Sequence, residues 1–184
     1  MTDSNRLFRP IRRIVTGNDA EGRSSIVEDG TTPAEITVPE RPGYVVANVW
    51  VTGETPAAID QTDASTAHRG LLPPTNGTIL RVNDYPPEPE TREEFEVMAQ
   101  ATFRAIFPDV PHDPSEAPHA GMHTTETVDY AIVLAGEMTA VMDDEEVVMK
   151  AGDIMIQRGT NHGWANRSGK PARIDFVMID GNFG

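Results

Sequence analysis

The sequence predicts an all-β fold, an antiparallel sandwich or barrel, with one α-helix. Short apolar and β-branched runs recur between residues 120 and 166, each bounded by a glycine or acidic turn. That spacing is the signature of hairpins rather than of helices. An earlier stretch, Tyr44 to Val51, alternates with the period-two rhythm of a strand. One segment, after Thr91, shows helical spacing instead.

The hairpin region organises the chain. A first segment from Met122 ends in an apolar strand and the Gly136 turn, and Met138–Met142 follows it. An acidic turn at Asp143-Asp144-Glu145 leads into Glu146–Lys150. After Gly152-Asp153, a last piece runs from Ile154 to Asn166, and Ala172–Asp180 closes a sheet.

In the N-terminal half, Ile11, Ile14 and Val15 predict a short strand before Gly17-Asn18-Asp19. Ser24–Val27 predicts a second, with a tight turn at Asp29-Gly30. The arginines at 6, 9, 12 and 13 read as solvated or paired with the surplus acids. In Tyr44–Val51, Val45, Ala47, Val49 and Val51 share one face, and Tyr44, Val46, Asn48 and Trp50 the other. The mixed face suits either a pocket wall or the outside of the sheet. Thr52 to Gly77 is a long connection, of the kind that covers a site or moves. In the strand Thr78–Tyr85, Arg81, Asn83 and Tyr85 share a face. Turned inward, Arg81 could hold a substrate carboxylate through its planar fork; turned outward, it is a surface arginine. Thr91 with Glu94 forms a capping box, and Phe95, Met98, Ala99, Thr102, Phe103 and Ile106 follow at helical spacing up to Pro108.

Length predicts a single domain over residues 1–184. Within it, residues 1–118 are expected to supply strands, a long loop and the helix packed on a barrel, and residues 119–184 its core. Lys and Arg number 15 against 29 Asp and Glu, a formal charge of -14, which disfavours nucleic acid and anionic membrane as partners. The absence of cysteine excludes disulfides and thiolate chemistry. No apolar leader follows Met1-Thr2-Asp3-Ser4, and no apolar run reaches membrane-spanning length, so a soluble cytoplasmic protein is expected.

His123 stands in the first strand of the hairpin region and His162 after its last, with Asp129 between them. With Gly136, Gly152, Gly159 and Asn166, these residues resemble the two motifs of the cupin superfamily. Thr125 stands where that family's second histidine belongs, and Asp129 is one methylene shorter than its glutamate. Ala117 replaces a leading glycine, Gln157 replaces a proline, and the spacing from Gly152 is one residue short. The resemblance implies a double-stranded β-helix, the jelly-roll barrel, with an N-terminal β extension. It also implies a divalent metal ion (iron, manganese, nickel or zinc) held by His123, Asp129 and His162 with positions left open. A rival implication is that the histidines are hydrogen-bonding pocket residues with no metal.

Glu126 and His119 are the candidate acid or base, and His119 could also fold back as a third imidazole. Arg81, Trp50, Trp164 and Thr125 are candidate substrate-binding residues, Trp164 through stacking on a planar ligand. The expected function is a metal-dependent enzyme of lyase, decarboxylase or isomerase type, acting on a small oxygenated or carboxylated molecule. A non-catalytic small-molecule binding protein and an iron(II)-dependent dioxygenase are the alternatives. Pairing through sheet edges predicts a homodimer.

Overall fold

Eleven strands and one helix build the described residues, 6–115 and 117–184, of a computed structural model. The stretch Met1–Ser4, read above for a leader, lies outside them. In chain order the elements are β1 (Arg12–Asn18), β2 (Ser24–Thr31), β3 (Glu35–Thr37), β4 (Val45–Thr52) and β5 (Thr78–Tyr85). Then come α1 (Arg92–Ile106), β6 (Thr127–Ala135), β7 (Glu137–Val141), β8 (Glu146–Lys150), β9 (Ile154–Arg158), β10 (Gly163–Ala165) and β11 (Ala172–Asp180). β1 and β2 form a ribbon; a six-stranded sheet runs β3-β4-β5-β11-β6-β9, and a three-stranded sheet runs β10-β7-β8. The two larger sheets make the double-stranded β-helix, with α1 against its interior.

Strand β11 joins the two halves of the chain. Its residues pair antiparallel with β5 on one side and with β6 on the other. Ala172, Ile174, Phe176 and Met178 alternate inward and are buried. The N-terminal strands therefore extend the barrel's own sheet rather than packing on it from outside, because β5 fills the edge that β11 would otherwise leave open. One apolar cluster spans the layers: Val46, Ile174 and Phe176 from the large sheet, Met138 and Trp164 from the small one, and Phe103 and Ile106 from α1.

The helix begins as the sequence predicts. Thr91 is its N-cap, accepting from the Glu94 backbone N–H at 3.3 Å, and Phe95, Ala99, Thr102, Phe103 and Ile106 are its buried face. Gly136 has φ +74, and a Cβ there would lie 2.5 Å from the Pro171 carbonyl oxygen, so the β6–β7 turn needs glycine.

Two expectations fail locally. β2 runs through Asp29-Gly30 instead of turning there, paired with Ile14 and Arg13 of β1, and Arg12 forks onto Asp29 at 2.7 and 2.6 Å. The β1–β2 reversal, expected at Gly17-Asn18-Asp19, falls at Asp19–Gly22. In β4 the register to β5 slips between Asn48 and Trp50, a bulge that reverses the facing of every residue beyond it. No helix among the described residues is long and apolar enough to cross a membrane.

Ile174 is fully buried, so Ile174→Ala is expected to cost ~2–5 kcal/mol in urea unfolding. Thr91→Ala, losing only the cap, is expected to cost ~1 kcal/mol. Equal losses would contradict this division between core and helix end.

Candidate functional site

The two large sheets and α1 enclose a cavity of about 60 Å³. Seven aromatic side chains line it: Tyr44, Tyr85, Phe95, Phe103, Phe107, Trp164 and Phe176. Set among them are His123, His162, Asp129, Arg41, Arg81 and Asn83.

Backbone pairing brings the two histidines together. His123 N–H donates to the His162 carbonyl at 2.8 Å and His162 N–H to the His123 carbonyl at 3.0 Å, an isolated antiparallel bridge. Residues paired this way project to the same side, and the ring centroids lie 4.5 Å apart. Nδ1 of His123 lies 2.9 Å from the Gly121 carbonyl oxygen, and Nδ1 of His162 lies 3.0 Å from that of Thr160. A carbonyl only accepts, so both Nδ1 atoms carry the proton and both Nε2 atoms keep a free lone pair. Desolvation pushes His162 down to about 4. It pushes His123, which keeps a partly exposed edge, down to about 3, with repulsion from His162 adding to the effect. Both rings are neutral at physiological pH.

Asp129 faces the same cavity because Thr127, Asp129, Ala131 and Val133 form the inward set of β6. Its Oδ1 is buried without a hydrogen-bond partner. Burial raises the carboxyl to about 6, against the opposing pull of the Thr127 hydroxyl and the Arg81 charge. Arg81 is turned inward and almost wholly buried. Its Nε donates to Asn48 Oδ1 at 2.8 Å, and its terminal nitrogens donate to the Leu71 and Gly70 carbonyls at 3.2 and 2.8 Å. Asp109 holds that loop by accepting from the Leu71 and Leu72 N–H groups.

Residues 109–180 match the family model described as cupin domain. Over those residues the chain is a member of the cupin superfamily. Phomopsin biosynthesis cluster protein C' of Diaporthe leptostromiformis is 48% identical over 61 residues, 32% of this chain and 32% of that protein, so most of that relative's length is unmatched. The cupin-domain-containing oxidoreductase fogC of Aspergillus ruber is 27% identical over 184 aligned positions, covering 96% of this chain and 75% of that protein. A cupin 2 conserved barrel domain protein of Salinispora arenicola superposes with TM-score 0.43 at 10% identity, covering 78% of this chain and 82% of that one.

The cupin fold implies a divalent metal ion, and the donor set tests the fit. Two imidazoles present free Nε2 atoms, each oriented by a backbone carbonyl on its other nitrogen, as metal-binding histidines require. The third ligand does not join them: among the described residues, no three His, Asp or Glu side chains converge on one point. Thr125, in place of a second motif histidine, turns its hydroxyl to Thr127 at 2.8 Å. The residues thus form a two-imidazole seat, and the trio expected from His123, Asp129 and His162 does not close around an ion.

Other expected site residues fall into two groups. Trp164 lines the cavity, edge-on to His162 and Phe176 with centroids 5.9 and 5.2 Å away. Arg81 lines it too, with its fork spent largely on protein oxygens. Trp50 does not line it, because the β4 bulge turns it outward under the Arg13 guanidinium, 5.7 Å from the ring centroid. Thr125 is buried beside β6 and is not part of the lining. Glu126 has the opposite parity to Thr125 and Thr127 and points to solvent. His119 has both ring nitrogens engaged: Nδ1 accepts from Gly121 N–H at 3.2 Å, and Nε2 faces Glu88 Oε1 at 3.0 Å. It packs at a tilt against Phe95 outside the lining and does not join the two imidazoles. The sequence points to no site role for Arg41 or for the helix residues Phe95 and Phe103, whereas Tyr44 and Tyr85 lie on the faces that it offers as a pocket wall and beside Arg81. Nothing separates Arg41 from a surface arginine in a string, and the helical stripe reads equally as core.

Nitrogen-15 imidazole spectra test the tautomers. Both rings are expected to stay neutral and Nδ1-protonated from about pH 8 to about pH 5. A charged imidazolium signal from either residue in that range contradicts the site described.

Proposed function

We propose that this cupin is an enzyme that moves a proton on a small oxygenated or carboxylated molecule, the chemistry of a lyase, decarboxylase or isomerase. The supporting observation is Asp129: a carboxylate with one unpaired oxygen, buried among aromatic rings in the cavity. Desolvation that lifts it to about 6 makes it a stronger base than an ordinary carboxylate, yet leaves it ionised at neutral pH. Abstraction of a proton from carbon next to a carbonyl would use that oxygen. The two neutral imidazoles are too weakly basic to take the proton; their Nε2 atoms accept hydrogen bonds from ligand hydroxyls and fix its orientation. Trp164 supplies a flat wall.

An oxidoreductase is the second reading, favoured by the printed name of fogC and by the free Nε2 pair, since iron, manganese, nickel and zinc all accept imidazole nitrogen. A purely ligand-binding cupin is the third.

The test is incubation with metabolite extracts in deuterium oxide, read by mass spectrometry. Proton transfer predicts deuterium incorporation that survives chelator and anaerobiosis, rises as pH passes upward through about 6, and falls ~100-fold or more in Asp129→Asn. Conversion that stops with chelator or without dioxygen would establish the second reading instead. Binding without conversion would establish the third.

We also propose self-association through the outer face of β6 and β9, at the end of the six-stranded sheet. Tyr130, Leu134, Ile154 and Ile156 are 41, 48, 62 and 53% exposed, and Tyr130 lies directly across from Ile156. Sedimentation should show a dimer that Ile156→Lys converts to monomer with unchanged circular dichroism. A monomeric parent protein rejects this interface.

A further inference from the structure

Four arginines in this fold are largely withdrawn from water, and three are matched. Arg13 pairs with Glu28 and Asp63, Arg173 with Asp84, and Arg81 donates to Asn48 and two backbone carbonyls. Arg41 is the exception. It is 7% exposed, lies in the β3–β4 connection and lines the cavity. Among the described residues its guanidinium makes no hydrogen bond and no ion pair. Its contacts are ring faces: Tyr44 at 4.2 Å, Phe95 at 5.1 Å and Tyr85 at 5.6 Å from guanidinium carbon to centroid.

Rings stabilise the cation through its flat face but leave the in-plane N–H donors unanswered. An arginine cannot shed its charge at these pH values, so a partner must come from elsewhere. The rest of the cavity sharpens the choice. Asn83 Oδ1 is buried without a partner, and it is an acceptor. It answers a ligand's donor and cannot repel a carboxylate by charge. Arg81, which the sequence leaves open as either a carboxylate clamp or a surface arginine, spends its fork on the protein itself.

We propose that the cavity binds a carboxylate-bearing molecule with an unsaturated or aromatic body, and that Arg41 is the counter-ion of its carboxylate. This rests on the reading that the cavity is the ligand site, and it names the ligand's class. The guanidinium fork matches the two carboxylate oxygens, the rings of Tyr44, Tyr85 and Phe95 pack beside the planar body, and Asn83 Oδ1 takes a hydrogen bond from a ligand hydroxyl.

Isothermal titration with acetate, crotonate and benzoate, each against its uncharged amide, tests the assignment. The parent protein should bind at least one carboxylate, with the matching amide weaker by about tenfold or more. Arg41→Met, which keeps the volume and removes the charge, should lose the carboxylate preference while retaining its near-ultraviolet dichroism. Arg41→Lys should keep part of it, as a point charge without the fork. If Arg41→Met does not fold, the amide comparison and Arg41→Lys decide. Equal binding of acid and amide, undiminished carboxylate binding by Arg41→Met, or no carboxylate binding up to ~10 mM would each overturn the proposal. The two readings fail separately: unchanged deuterium incorporation in Asp129→Asn removes the proton-transfer role and leaves the titration result standing.

Discussion

Two backbone hydrogen bonds, exchanged between His123 and His162, tie the segment entering β6 to the segment leaving β9. Each histidine would otherwise sit in irregular chain, free to turn outward. The bridge fixes both Cα–Cβ vectors to one side, and the Gly121 and Thr160 carbonyls then fix both rings about their own axes. The cavity's geometry follows from this. Trp164, two residues beyond His162, enters β10 beside β7 and sets its indole against the ring. Phe103 of α1 approaches His123 edge-on from the other side. Rotating either imidazole would remove a wall of the enclosure as well as a polar group.

The enclosure sets the electrostatics, because desolvation acts on each group according to the sign of its charged form. It suppresses protonation of His123 and His162 and suppresses ionisation of Asp129. One apolar box therefore yields two neutral acceptors and one strengthened base without any ion pair between them. Arg81 shows what the fold does with a buried charge that is structural: it surrounds the guanidinium with carbonyls and an amide oxygen, and spends Asp109 to hold the loop that supplies them. Removing one partner from such a network costs several kcal/mol. An arginine left with ring faces alone stands out against that practice.

What could be read from the string were the features fixed by local spacing. The helix from its cap to Ile106 follows from a period of 3.6 and Gly136 from steric need at its turn, while the paired histidines and the inward Asp129 are what the motif resemblance implies. Trp50 was lost to one bulge, since a single inserted residue inverts parity and no composition signal marks it. His119 lies outside the cavity beside Glu88, a partner 31 residues away along the chain that no local spacing reveals. The third metal ligand was inferred from matched positions, and matched positions do not guarantee converging side chains. Arg41 was invisible for a deeper reason: what distinguishes it is a missing partner, and partners are a property of the folded state.

The cavity is shared between two kinds of chain. Residues 109–180, the cupin segment, bring His123, Asp129, His162 and Trp164. Arg41, Tyr44, Arg81, Asn83, Tyr85 and the face of α1 come from residues before it. The first group holds the imidazoles and the carboxylate; the second holds the fixed positive charges, the Asn83 amide and most of the ring surface. β11 couples them, since one of its edges is held by β5 and the other by β6. The N-terminal group stands on β4, β5, α1 and the loops beside them, outside the family match, while the imidazole pair and the carboxylate lie within it. On the proposed reading, reaction type rests with the first group and ligand choice with the second, and the family match, which begins after the second group ends, takes in only the first.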